Sequence, residues 1–254
     1  EETFWWLIAN NFGIPVNREA FEKIARSVTV SILAKHKSQV IQIEALLFGQ
    51  AGLLDKSFTE AYPLLLKKEY RFLQKKYSLE IPLLQLYFLR MRPANFPSVR
   101  LAQLAMLVHT SSHLFSKIIV AESLTEIKKL LDITANDYWH NHYNFDEEAI
   151  LKVKKVGAHM VNNILINTVV PVLFAYGQYH NDQKLKDRAI CWLEDIAAEK
   201  NSITRGFEKL KFRNDNSFDS QFFIQLKNKY CNKKRCLECA IGSSILGKDG
   251  TLIR

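Results

Sequence analysis

Three of the chain's four cysteines fall in one short run, Cys231-Asn-Lys-Lys-Arg-Cys236-Leu-Glu-Cys239. Closely spaced thiols become thiolate ligands when a metal ion beside them lowers their pKa. The spacing predicts a structural Zn2+ site at Cys231, Cys236 and Cys239, with an iron–sulfur cluster as the less favoured occupant. A closed site of either kind takes four ligands, and only Cys191 remains to complete it. The alternative is that these cysteines pack a helix junction as small apolar side chains.

A second group with chemical potential is cationic. In Leu64 to Tyr77, the residues Leu66, Tyr70, Leu73 and Tyr77 fall on one helical stripe, and Lys67, Lys68, Arg71 and Lys75 lie off it. Arg90, Arg92 and Arg100 follow in a loop restrained by Pro93 and Pro97, just before a helix start whose free N–H groups favour anions. Lys233, Lys234 and Arg235 sit inside the cysteine run. These ten cations form the candidate nucleic-acid contact set; solvated helix faces and arginines that anchor loop carbonyls are the competing reading.

Other constellations are weaker. His109-Thr-Ser-Ser-His113 has the i, i+4 spacing of helical zinc sites, but Thr110 stands where a zinc protease carries its general base. His140 and His142 are flanked by Trp139 and Tyr143. Asn163, Asn167 and Pro171 recur every four residues in an apolar helix, which predicts a kink at Pro171 and amides that satisfy the freed backbone.

The elements that must position these groups are helices. Of 254 residues, 48% are hydrophobic and 24% charged, which excludes disorder, and 9 Gly with 6 Pro supply too few turns for a large β-sandwich. Gly13 closes a first helix, Asn17 caps a second, and Ser38 opens a third ending at Gly49. Ser57 to Glu60 and Ser123 to Glu126 match the capping box. A long helix is predicted over Ser98–Lys117, another puts Leu185, Ala189, Trp192, Leu193 and Ile196 together, and further helices are predicted over Gln221–Tyr230 and Leu237–Leu246, with a short extended piece at Leu83–Leu89. The prediction is all-α, one compact multi-helical domain over 1–254.

The excess of 35 Lys and Arg over 26 Asp and Glu, a net +9, attracts polyanions. Four cysteines, three of them crowded together, do not make a secreted disulfide scaffold, so a reducing, cytoplasmic setting is expected. The apolar stretch Val161–Tyr176 is read as too short to cross a bilayer, so no membrane partner is expected. A start at Glu1 rather than Met suggests a piece of a longer protein.

Several segments together resemble an uncharacterised family of bacterial, Bacteroidetes-type proteins known only as a domain of unknown function. They are Phe4-Trp-Trp with Asn11-Phe-Gly13, Ala34-Lys-His36 with Gln42-Ile-Glu-Ala-Leu-Leu-Phe-Gly-Gln-Ala-Gly52, and Arg92-Pro-Ala-Asn-Phe-Pro97. Ser112-His-Leu-Phe-Ser-Lys117, Asn167-Thr-Val-Val-Pro171 and Tyr230-Cys with Cys236-Leu-Glu-Cys-Ala-Ile-Gly242 complete the set. The resemblance implies a helical downstream part joined, in longer members, to an upstream domain with acidic residues reminiscent of metal-dependent nucleases. Cys191 lies outside its pattern. The leading expectation is a non-catalytic module that binds nucleic acid, with the upstream domain of the same protein as a further partner. A metal-assisted hydrolase and a structural or oligomerisation domain are the alternatives.

Overall fold

The computed structural model describes residues 1–89, 92, 95–111 and 113–246. The fold is all-α, and its one sheet among those residues is a two-stranded antiparallel ribbon. The chain forms two compact units, Glu1–Tyr176 and Gly177–Arg254.

The first unit is organised around α4 (Val40–Gln50), which lies between α5 (Ala61–Tyr77) and α6 (Pro97–Thr110). Helix α4 is mostly apolar, and Ile43 through Gln50, the polar Glu44 and Gln50 included, are all buried. A helix with no polar face has to be surrounded. Gly49 is what lets α5 approach: a Cβ there would sit 2.1 Å from the Tyr70 ring. Helix α1 (Glu2–Phe12) packs on α2 (Arg18–Ser27), and α3 (Val30–His36) leads into α4. Then follow α7 (Leu114–Val120), α8 (Leu124–Leu130), a 3-10 turn at Asp137–Asn141 and the ribbon of β1 (His142–Asn144) and β2 (Glu147–Glu148).

The unit closes with α9 (Ala158–Ile164), a π-helical turn at Leu165–Val169 and the start of α10 (Val170–Tyr179). Pro171 has no N–H to give Asn167, and the structure answers with this π turn. Of the two amides expected to serve the backbone there, Asn167 does so, but at the Asn163 carbonyl, which accepts from Asn167 Nδ2 at 3.0 Å and from Asn11 Nδ2 at 3.2 Å. The continuous stretch Ala158–Tyr179 is 22 residues, so by length and composition it is sufficient to cross a bilayer, which corrects the shorter estimate from sequence. Met160, Ile164, Leu165, Val169 and Leu173 are buried in protein, as in the core helix of a globular unit.

The second unit comprises α11 (Gln183–Glu194), α12 (Ser202–Lys209), α13 (Ser217–Gln225), a π turn at Leu226–Cys231, a 3-10 turn at Cys236–Glu238 and α14 (Ala240–Leu246). Its core is Leu185, Ala189, Trp192, Ile196, Phe223 and Leu226, with Phe207 stacked on Phe223 at 4.6 Å. Asn201 and Thr204 form a reciprocal capping box at α12.

Three local expectations are corrected. The helix expected over Ser98–Lys117 is two helices, broken after Thr110, with His113 at a left-handed φ of 52°. Ser57 and Glu60 make no capping box: α5 starts only at Ala61, the Glu60 N–H donates to Asp146 Oδ1 at 3.1 Å, and the Glu60 carboxylate is taken by Tyr138 and His142. Asn17 precedes α2 as expected but does not cap it; its side-chain amide holds the backbone of Tyr87 instead. Ser123 does cap α8.

Candidate nucleic-acid interface

Helix α5 carries the most promising surface. Pro63 in its first turn, then Leu66, Tyr70 and Leu73, form a buried stripe at i, i+3, i+7 and i+10 that fixes the helix on α4. The opposite face is thereby turned to solvent. Lys68, Arg71, Lys75 and Lys76 are exposed there, and none has a carboxylate partner among the described residues. The only acid within the helix, Glu69, is half-buried and accepts from Gln42 Nε2 at 3.1 Å. Phe72 stands among the cations, 61% exposed. Lys76 lies over the rings of Phe72, at 5.8 Å, and Tyr77, at 5.2 Å, while Lys35 reaches Tyr77 from α3 at 5.8 Å. From Lys68 to Lys75 the stripe runs about 10 Å along the helix.

The other predicted cations divide. Lys67 is half-buried, donating to the Lys56 carbonyl and standing over the Phe58 ring. Arg92 is exposed, and Arg90 lies outside the described residues. Arg100 turns inward: Nη1 donates to Gln103 Oε1 at 2.9 Å and Nη2 to Asn95 Oδ1 at 2.6 Å. Burial pulls its pKa down to about 10. Its fork is thus spent on tying the preceding loop to α6.

Lys233, Lys234 and Arg235 are exposed in the second unit, with Arg235 paired to Glu238 and resting over the Tyr230 ring. Cys231 and Cys236 are exposed free thiols and Cys239 is a half-buried one. Among the described residues no three His, Cys, Asp or Glu side chains gather as a metal ion would require. Cys236 and Cys239 do not share a turn of α14, since Cys239 lies between the 3-10 turn and that helix. Cys191, the remaining candidate for a fourth ligand, is exposed.

The histidines are engaged structurally. His109 Nδ1 meets the Lys37 carbonyl at 2.6 Å, and the break after α6 removes His113 from the same helix. His142 lies between the Tyr138 carbonyl at Nδ1, 2.8 Å away, and Glu60 Oε1 at Nε2, 3.1 Å away.

A buried polar network escaped the sequence reading. Glu44 is fully buried in α4; its Oε2 accepts from the Tyr62 hydroxyl at 2.5 Å and from Trp139 Nε1 at 3.3 Å. Oε1 is buried without a partner. Desolvation outweighs both hydrogen bonds and raises the Glu44 carboxyl to about 7. Asn136 Nδ2 donates to Tyr62 at 3.0 Å, and the rings of Tyr62, Tyr138 and His142 stack in succession, at 4.4 and 4.0 Å. Burial pushes the Tyr62 and Tyr138 hydroxyls up as well. The one signal in the sequence was an acid embedded in the apolar run Ile43-Glu44-Ala45-Leu46.

Lys154 was missed likewise. Its buried ammonium donates to the carbonyls of His140 and Lys152, both at 3.0 Å, and lies 3.9 Å from the centre of the Tyr143 ring. Burial, then the charge of Lys152, lowers its pKa.

Residues 1–202 match the family described as a protein of unknown function (DUF2851), and the chain belongs to it. The cysteine run lies beyond the matched residues. No curated protein and no solved structure matches the chain.

Proposed function

We propose that the first unit is a non-catalytic nucleic-acid-binding module whose contact surface is the exposed face of α5. The observation that carries this reading is the set of Lys68, Arg71, Lys75 and Lys76, unpaired with acids among the described residues and interleaved with an exposed phenylalanine. Cations at this spacing neutralise successive phosphates, and an exposed ring gives an unstacked base a surface to lie on. Single strands therefore suit the surface better than duplexes. Arg92 extends the contact set, whereas Arg100 leaves it for a structural role. A cytoplasmic setting belongs to the same reading and agrees with four free thiols.

The test is fluorescence anisotropy with labelled single- and double-stranded oligonucleotides over a salt series. Neutralising about three phosphates on a single strand gives a slope of about −2 in log affinity against log salt. The variant K68A/R71A/K75A is expected to flatten that slope, and Phe72→Ala to weaken single-strand binding while leaving it intact. Absence of low-salt binding, or a triple variant that binds as the parent does, overturns the proposal.

A further inference from the structure

The segment Leu79–Leu89 follows α5 outside any helix, and from Ile81 onward its exposure alternates residue by residue. The even-numbered Pro82, Leu84, Leu86 and Phe88 are half-buried. The odd-numbered Ile81, Leu83, Gln85, Tyr87 and Leu89 face solvent, Leu83 at 94% and Leu89 at 87% exposure. A period of two is the signature of a strand, yet among the described residues this one has no neighbour in a sheet.

Its orientation follows from one contact. The Tyr87 N–H donates to Asn17 Oδ1 at 2.8 Å, and the Tyr87 carbonyl accepts from Asn17 Nδ2 at 3.0 Å. Backbone groups of successive residues in a strand point to opposite edges. The odd residues therefore direct theirs to the Asn17 side, and Leu84, Leu86 and Phe88 direct theirs to the other edge. Those groups have no hydrogen-bond partner among the described residues, and on the Asn17 side Tyr87 alone of Ile81, Leu83, Gln85 and Tyr87 has one, so Asn17 blocks that edge at Tyr87 while the other edge is open along its length. Folded proteins seldom leave such an edge uncovered, because it is a template for another strand.

We infer that this edge pairs antiparallel with the same segment of a second copy of the chain, about a two-fold axis at Gln85. The segment is self-complementary in that register. Ile81 falls opposite Leu89 and Leu83 opposite Tyr87, aliphatic and aromatic–aliphatic pairs that stabilise a sheet, and the polar Gln85 faces itself. Leu84 and Leu86 then exchange both of their backbone hydrogen bonds. Pro82, which has no N–H, falls opposite Phe88 near the end of the ladder and accepts only. Shifting the axis to Leu84 or Leu86 sets Gln85 against Leu83 or Tyr87 instead. Glu80 is the only charge between Leu79 and Leu89, so two copies do not repel along the edge. A two-fold axis between two copies of the same strand gives a closed, isologous dimer.

The test uses the whole chain and substitutions at Gln85, whose exposed side chain accepts from the likewise exposed Tyr87 hydroxyl at 3.1 Å. Sedimentation velocity is expected to show a reversible dimer of the parent at concentrations of about 100 µM, a weak association in keeping with a contact built on one strand pair. Gln85→Glu and Gln85→Lys each place like charges face to face and are expected to weaken self-association about fivefold, and an equimolar mixture of the two to restore it. Under mild oxidation two copies of Gln85→Cys are expected to form a disulfide with each other at the substituted position. Mass spectrometry reads it as a cross-linked pair of the same peptide, missing from the parent. A parent that stays monomeric at that concentration overturns the inference, whatever other strand the edge accepts. So does a Gln85→Glu variant that dimerises as the parent does, or a Gln85→Cys dimer whose introduced thiols fail to link to each other.

Discussion

Glu44 makes the stability of the first unit depend on pH in a way that one substitution isolates. Its carboxyl is raised from 4.5 to about 7 in the folded protein because burial removes water from the charged form. Tyr62 and Trp139 both donate to Oε2 and pull the other way, but they leave Oε1 without a partner. A carboxyl whose folded pKa lies above its unfolded value stabilises the fold fully below the unfolded value, near 4.5. That stabilisation is lost as pH rises through the folded value, near 7. Each unit of pKa difference is about 1.4 kcal/mol, so the parent is expected to lose about 3 kcal/mol from this group by pH 8. Glu44→Gln keeps an acceptor for Tyr62 and Trp139 but cannot ionise. Its amide nitrogen meets the site where Oε1 has no partner, an offset of about 1–3 kcal/mol that does not vary with pH. The assay is urea unfolding followed by tryptophan fluorescence at intervals from pH 4.5 to 8.5, with variant minus parent taken at each pH so that other titrating groups cancel. The variant is expected to be the less stable at pH 4.5 and to gain about 3 kcal/mol relative to the parent by pH 8. A difference that stays constant across the range refutes the assignment of the buried charge to Glu44.

Further outcomes follow from the packing and the exposed groups. Gly49→Ala drives a methyl to 2.1 Å from the buried Tyr70 ring and is expected to destabilise the first unit by about 1–3 kcal/mol in urea unfolding, with Tyr70→Leu in the same chain recovering part of the loss. Arg100→Ala is expected to lower stability and leave oligonucleotide affinity unchanged, whereas Arg71→Ala does the reverse; anisotropy and unfolding measured on the same two variants separate the roles. In native protein a thiol reagent is expected to modify Cys191, Cys231 and Cys236 rapidly and Cys239 more slowly. A zinc ion held by the run would protect Cys231, Cys236 and Cys239 together, and metal analysis of the same sample distinguishes the two.

The sequence by itself determined the helical class and much of the element order, since apolar side chains recurring near every 3.6 residues need only local geometry to be recognised. Leu66, Tyr70 and Leu73 on α5, and Leu185, Ala189 and Trp192 on α11, are buried as their spacing required, and Ile196, just past the end of α11, is buried too. A short extended piece was expected at Leu83–Leu89, but the run Leu-Leu-Gln-Leu-Tyr-Phe-Leu does not alternate in residue type, so which of its residues are half-buried came only from the structure. Capping was legible only where no distant group competed: Ser123 caps α8, but Glu60 abandons Ser57 for Tyr138 and His142, about eighty residues away in the chain. The same limit governed the site. Periodicity separated the cations of α5 from its buried stripe, yet it could not tell that Arg100 is occupied by Gln103 and Asn95 while Arg71 is free of acids among the described residues. Nor could it reveal that Glu44, Tyr62 and Trp139 converge from three separate elements. Which polar groups share a buried space depends on how helices pack, and that packing is decided by shape and burial summed over the whole unit, so only the tertiary structure assigns a pKa, a partner or a free edge to a given residue.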